Sequence, residues 1–384
     1  MHEEDVAHLL SDLVRTPSYT GLPNQELAVA AKIRDVLMEA GIHSELQEVS
    51  PGRPNVIGIL DGGLPGSTIV YNAHIDTIPP VTQGMLAGEI RDGRVYGLGA
   101  TDDKGGACAM LLSLVALRHL KWRFKGRLIF AGVVDEEYKN SGTAKFVETH
   151  PDIDFAIVGE PTALDVGVVH RGMEWIDIAV TGKSVHSSRP QDGVNAISKM
   201  VDIIVRIRQD LEPCLAERRY PLLGPSLLNL GVIRGGTQPN QIAPDCLLQI
   251  ERRYNPDETL EQVYQEIEDV LDACRMRDPQ LRVTARPAAY SKGSKKGPFS
   301  IASDHPLVSA VLEGANAIGM NPRVIGVQYS SDAPLFTSAG IPTVLFGPGD
   351  ISQAHSAGES IAVLDVVRGA AAYAAIAVTL GSIT

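Results

Sequence analysis

An α/β protein interrupted by a second, separately folding unit is the architecture this sequence predicts. Three observations predict it: strand-like and helix-like segments alternate up to about residue 170, a β-α-β-β-α-β order fills 170–287, and the alternation resumes from Asp304. The length of 384 residues agrees, since at roughly 150 residues per domain two or three domains are expected. The predicted boundaries are a first segment over 1–169, an inserted ferredoxin-like unit over 170–287 and a returning segment over 288–384.

The elements follow in order. Val6, Leu9, Leu10, Leu13 and Val14 recur at helical spacing within Glu4–Val14, and Asn24–Ala40 repeats the pattern until Gly41 stops it. Short β-type runs come next, NVIGILDG, TIVYNAHID and RLIFAGVVDEE, with the helical GGACAMLLSLVALRHL between the last two and FAIVGEPT after them. Beyond residue 170, MEWIDIAVTG reads as a strand, VNAISKMVDIIVRIRQDL as a helix, SLLNLGVIRGG and DCLLQIERRY as strands, TLEQVYQEIEDVLDACR as a helix and QLRVTARP as a strand. HPLVSAVLEGANAIG, IPTVLFGPG and a terminal Ala-rich helix then return to the first domain.

Hydrophobic residues make up 44% and charged residues 21%, the balance of a folded soluble chain. A net charge of −12 with no long basic run argues against nucleic acid as a partner. Cys108, Cys214, Cys246 and Cys274 lie far apart with no C-x-x-C pair, so neither a disulfide framework nor a zinc ribbon is expected. The start, MHEEDVAHLLSDLV, puts acids where a signal peptide needs a basic region. Near the other end GAAAYAAIAVTLG is apolar for only about 13 residues, too few to span a bilayer. The expectation is a cytoplasmic protein without a membrane partner.

Residues capable of chemistry fall at strand ends, where open α/β sheets gather their ligands: His74 and Asp76, Glu136 and Glu137, then Glu160. On a strand, residues two apart share a face, so the Asp76 carboxylate can accept the His74 ring N–H and aim the other nitrogen at a metal. Asp102 in GLGATDDKGG follows a glycine-rich turn and has two oxygens with which to bridge two cations. That turn lacks both nucleotide-binding glycine patterns. Successive acids ending an apolar strand need something positive beside them, and Glu136 and Glu137 reach one site only if the strand ends or twists there. With His355 in GDISQAHSAGE, the set offers two imidazoles and several carboxylates, the mixed donors of a co-catalytic zinc pair.

Y-N-A-H-I-D-T, G-L-G-A-T-D-D-K-G-G, D-E-E, V-G-E-P-T and A-H-S-A-G-E together resemble the successive signatures of the dinuclear zinc M20 metallopeptidases. That family includes acetylornithine deacetylase, succinyl-diaminopimelate desuccinylase and glutamate carboxypeptidase, and the resemblance covers essentially the whole chain. It implies a zinc-exopeptidase-like catalytic domain split around an inserted lid through which two copies dimerise. It further implies two divalent ions per subunit, zinc or else cobalt or manganese. Asp102 would bridge them, His74 and Glu160 would complete one site, and Glu137 and His355 the other. Asp76 would orient His74, and Glu136 would be the general base.

In the insertion, His186 of GKSVHSSRPQDG matches the histidine that reaches the partner subunit's site to stabilise an oxyanion. Asn240 and Arg253 match positions that contact the substrate's carboxylate end. Arg252, by strand alternation, faces the other way. Gly347 and Gly349 are read as shaping backbone beside the site, and Ser330, Ser331 and Asp332 as residues lying just behind it.

Two departures stand out: Leu98 replaces the arginine of the family's G-R-G, and Asp103 replaces the commoner Met after the bridging acid, as in dipeptidase-like members. Glutamate at the position of Glu160 is commoner among deacylases. The implied activity is therefore hydrolysis of an N-acyl amino acid, or a similar small amide, to a carboxylate and an amine. A metallo-carboxypeptidase or dipeptidase acting on short peptides is the alternative, and a catalytically silent dimeric binding module the remote one.

Overall fold

Four parallel strands, Phe124–Val133, Gly63–His74, Phe155–Val158 and Thr343–Leu345, lie side by side at the centre of a nine-stranded sheet. The computed structural model describes residues 2–289 and 296–381. Ile69, Val70, Tyr71 and Ala73, like Leu128 to Ala131 and Ala156 to Val158, are buried as continuous runs. Covered parallel strands require such runs, and this is why these segments do not alternate. Arg53–Asp61 and His43–Ser50 extend one edge antiparallel, and Val166–His170 joins the other. All four parallel strands end on the same side. The chain leaving each C-terminal end therefore delivers its next residues to one place.

By its internal contacts the chain forms two units, Met1–Val168 with Ser300–Val327 and Ser331–Thr384, and Val169–Phe299 with Gln328–Ser330. The last strand of the second unit's four-stranded sheet is Arg282–Pro287.

The first unit's outer layer includes helices Glu3–Val14, Lys104–His119, Pro306–Asn316 and Val363–Leu380. The last of these corrects the sequence reading. It is 18 residues long with a mean hydropathy of 1.6, which meets the length and composition of a membrane span, because Asp365 and Arg368 lie inside it rather than ahead of it. Half of that stretch is buried in the fold. Its Tyr373 donates to the Phe346 carbonyl, and Tyr71 donates to the Tyr373 carbonyl at 2.5 Å.

The second unit has a four-stranded antiparallel sheet in the order Leu227–Gly235, Asp245–Tyr254, Gly172–Thr181, Arg282–Pro287. Helix Ala196–Arg206 follows its first strand in the chain, and helix Leu260–Arg277 precedes its last. Asn195 caps the first helix, and Thr259 with Gln262 forms a capping box on the other. Ile176, Ile178, Val180, Met200, Ile203, Leu248, Ile250, Ile267 and Leu271 give this unit a core of its own.

Candidate metal and catalytic centre

His74 is the last residue of its strand, and its ring is buried. Its Nε2 lies 3.0 Å from Asp102 Oδ1, while Nδ1 lies 3.1 Å from the Asp76 carbonyl oxygen and 3.6 Å from the Asp76 carboxylate. The expected contact through the carboxylate is thus replaced by a closer one through the main chain, because the strand has already ended and its two-residue alternation no longer applies. The Asp76 carboxylate instead accepts the backbone N–H groups of Glu136 and Glu137, at 3.1 Å each. It pins the acidic turn beside the histidine.

That turn is where the strand Phe124–Val133 gives out. Asp135 takes a left-handed conformation, φ 69°, and the break allows adjacent glutamates to serve one site. The Glu137 Oε1 is 3.0 Å from His355 Nε2, and His355 Nε2 is 3.3 Å from the other oxygen of Asp102. Asp102 therefore has one imidazole on each oxygen. Asp102, Glu137 and His355 place donor atoms within 4.8 Å of one another.

Glu160, buried, follows the strand Phe155–Val158. The close approach there needs glycine: a Cβ on Gly347 would come 2.5 Å from the Glu160 carbonyl, and Gly349 has φ +95°. Between Arg94–Tyr96 and Ser360–Ala362 a short ladder brings the loop of His355 to the turn of Asp102. Buried Glu359 then ties the two, its Oε1 accepting the N–H groups of Thr101 at 3.0 Å and Asp102 at 3.2 Å. Glu359 ends the A-H-S-A-G-E motif, yet no pattern in the sequence points to this role.

Charge explains the site's protonation. Burial pushes Glu160 well above the usual carboxylate range, reinforced by the charges of Asp102 and Glu136. Burial also raises Glu137, and His355 opposes it. Asp102 goes the other way: burial would raise it, but hydrogen bonds with His355 and His74 hold it well below its ordinary value. His355 is raised to about 10 by Asp102 first and Glu137 next, and His74 rises against its own burial because Asp102 and Asp76 face it. Nearby Lys104 does not balance these acids at close range, since its ammonium donates to the Leu13 and Thr16 carbonyls at 3.0 and 2.8 Å and burial lowers it to about 7.

Carboxylates that outnumber cations at a largely buried site open to solvent at His355, with imidazole nitrogens converging on a shared aspartate, fit divalent metal ions. The donor set suits zinc, whose borderline character takes both nitrogen and oxygen.

His186, Asn240 and Arg253 belong to the second unit. His186 is exposed, its Nδ1 2.8 Å from Ser188 Oγ, and its strand segment bridges Gln241. Asn240 lies beside it, accepting the Ser187 N–H at 3.0 Å through its carbonyl. Arg253 donates to the Gln328 carbonyl at 3.1 Å and to Glu251 at 2.9 Å. Buried Arg171, unread in the sequence, holds the same Gln328 through its side chain at 2.5 Å. Arg252 is fully buried and bound to Glu258 and Glu266.

An α/β fold with such donors at its strand ends is that of a metallohydrolase. The chain belongs to peptidase family M20/M25/M40, whose model matches residues 70–379. It is 31% identical over 343 residues to an acetylornithine deacetylase of Vibrio cholerae, covering 87% of this chain and 86% of that protein. It is 28% identical over 396 residues to an N-formyl-4-amino-5-aminomethyl-2-methylpyrimidine deformylase of Bacillus subtilis, covering 96% and 92%. Among solved structures, an aminopeptidase of Bacillus cereus superposes with a TM-score of 0.82 at 20% identity, covering 99% of each chain. A dinuclear metal-binding M20 peptidase of Bacillus subtilis gives 0.76 at 17% identity, covering 100% of this chain and 99% of that one. These last two are likenesses of fold.

Proposed function

We propose that this hydrolase is a dinuclear metal-dependent deacylase that cleaves an N-acyl amino acid, or a closely similar small amide, to a carboxylate and an amine. The observation that carries the reading is Asp102, with an imidazole on each oxygen and Glu137 against one of those imidazoles. The two relatives at 31% and 28% identity are a deacetylase and a deformylase, which supports deacylation. Two divalent ions, zinc by choice with cobalt or manganese as substitutes, would supply Lewis-acid polarisation of the scissile carbonyl and make a water acidic near neutral pH.

In this reading Asp102 would serve both ions, His74 and Glu160 would hold one, Glu137 and His355 would hold the other, and Asp76 steadies His74 and the acidic turn. Glu136 takes a proton from the attacking water as its oxygen adds to the carbonyl carbon, and hands that proton to the nitrogen as the tetrahedral adduct collapses, the C=O bond reforms and the C–N bond breaks. His186, supplied by the partner subunit, donates to the developing oxyanion, an interaction worth on the order of 3 kcal/mol in the transition state. Asn240 and Arg253 hold the substrate's free carboxylate.

The inserted unit, 170–287 between catalytic segments 1–169 and 288–384, is taken as a ferredoxin-like lid through which a homodimer forms. Its strand order supports the first part. For the second, helix Ala196–Arg206 exposes Ile197, Val201 and Val205 along one face, and the neighbouring strand Leu227–Gly235 ends the sheet with Ile233 exposed. A second copy would cover both the apolar stripe and the sheet edge. A cytoplasmic location accords with the unpaired cysteines.

Asp103, the feature shared with dipeptidase-like members, favours the alternative of a dipeptidase or metallo-carboxypeptidase. A panel of N-acyl amino acids and dipeptides, offered to zinc-loaded protein with mass detection, separates the readings. Faster release from N-acyl amino acids by at least about tenfold in kcat/KM is expected. A preference for dipeptides establishes the alternative, and hydrolysis of neither overturns both.

A further inference from the structure

Behind Glu136 runs a buried polar chain to which the roles above assign nothing. Glu136 Oε1 accepts from Asn140 Nδ2 at 3.3 Å, and the same nitrogen donates to Asp332 Oδ1 at 2.9 Å. The other Asp332 oxygen accepts the Thr143 hydroxyl at 2.7 Å, and Thr143 Oγ1 accepts from Asn72 Nδ2 at 3.0 Å. Asn72, Asn140, Thr143 and Asp332 are all at most 2% exposed.

The asparagine's orientation is dictated by chemistry. Its amide spends both N–H groups on two carboxylates, and its Oδ1 has no hydrogen-bond partner among the described residues. Leaving a buried acceptor unpaired costs stability, yet turning the amide over would set its oxygen against two carboxylate oxygens. The backbone holds it as well: Asn140 sits in the left-handed region at φ 57°, which asparagine tolerates, and its N–H donates to Asp135 at 2.6 Å. Thr143 has one hydroxyl hydrogen, given to Asp332, so Asp332 is clamped from two directions.

We propose that Asn140 is a positioning residue for Glu136, with Asp332 and Thr143 fixing the direction of its amide so that the glutamate carboxylate keeps one orientation throughout proton transfer. The inference rests on the reading of Glu136 as general base and deepens it. Second members of a hydrogen-bonded pair commonly matter this way, since a base displaced slightly from its proton loses rate rather than affinity.

The test uses the full-length, zinc-loaded protein and the best substrate of the panel. Asp332→Asn keeps the shape but cannot accept from both Asn140 and Thr143, and Asn140→Ala removes the donor. Each is expected to lower kcat by about 10- to 100-fold with KM within about twofold and two metal ions retained. In a Glu136→Gln background the same substitutions should change the residual rate by less than about twofold, because no base remains to be positioned. Equal losses in both backgrounds would mean a merely structural role and overturn the inference. Crystal structures supply a reading independent of rate: the Glu136 carboxylate should be displaced or split in both variants, and a single unmoved orientation sinks the proposal. Should Asp332→Asn fail to fold, Thr143→Val loosens Asp332 with less disturbance and is read by the same criteria. If Glu136→Gln alone keeps near-normal kcat, the base assignment falls, whereas the crystal structures still decide whether Asn140 orients that carboxylate.

Discussion

In the second unit the guanidinium of Arg252 is fully buried between Glu258 at 2.6 Å and Glu266 at 3.3 Å, and Arg218 closes the cluster onto the same two glutamates. Ser226 and the Asn255 N–H fill further positions on Glu258. In the first unit Asp76, Asp102, Asp103, Glu136, Glu160 and Asp332 are buried as well, and among the described residues Asp102 meets only imidazoles as cationic partners. Both regions take carboxylates out of water, but only one is balanced by the chain's own cations. The balanced cluster is a folding device. The unbalanced one is a site whose missing charge has to arrive from outside, and that imbalance separates function from architecture more sharply than burial alone.

Asp102→Ala removes the carboxylate that both imidazoles share, so metal content should fall well below two per chain and kcat/KM by at least roughly 10⁴-fold; full occupancy of both sites by elemental analysis would contradict the bridging role. Arg252→Met leaves buried Glu258 and half-buried Glu266 to the partly exposed Arg218 and should destabilise the second unit by about 3 kcal/mol in denaturant unfolding, while metal content stays at two. A change below about 1 kcal/mol would mean that the cluster is not balanced as described.

A smaller effect follows from His170, which is fully buried in the second unit and donates from Nδ1 to the Arg171 carbonyl at 2.9 Å. Burial first, then the charges of Lys296 and Arg253, lower it from 6.5 to about 4. Between those values the unfolded chain takes up a proton that the folded one refuses, so this stability is present above about pH 6.5 and is lost as pH falls towards 4, at most about 3 kcal/mol. Denaturant midpoints at pH 7 and pH 4.5 should differ more for the wild type than for His170→Gln. Equal pH dependence would remove His170 from the account.

Much of the site was legible because covered parallel strands must be apolar, so an acid or histidine ending one announces itself. Hence His74, Glu136, Glu137 and Glu160 stand out in the sequence, and the β-α-β-β-α-β order of the insertion follows from period and turns alone. What was hidden depends on tertiary contact. Asn140 carries no local signal, and although Asp332 reads as lying behind the site, its tie to Asn140, 192 residues away, does not show in the sequence. The contact of the Asp76 carbonyl with His74 was missed since it depends on where the strand stops. The three-residue strand Val324–Gly326 is too short to show a period, and the terminal helix ran longer than its apolar run because Ala-rich sequence carries helix through Asp365 and Arg368.

In the proposed function the surplus acids of the first unit divide between holding metal and moving protons. Glu136→Gln tests it directly, because the substitution keeps the shape and removes only the base. Metal content and kcat measured on one preparation should show two ions per chain and a rate lower by about 10³-fold or more. Two ions with near-normal turnover would contradict the assignment of the base, and loss of the ions along with the rate would contradict the division itself.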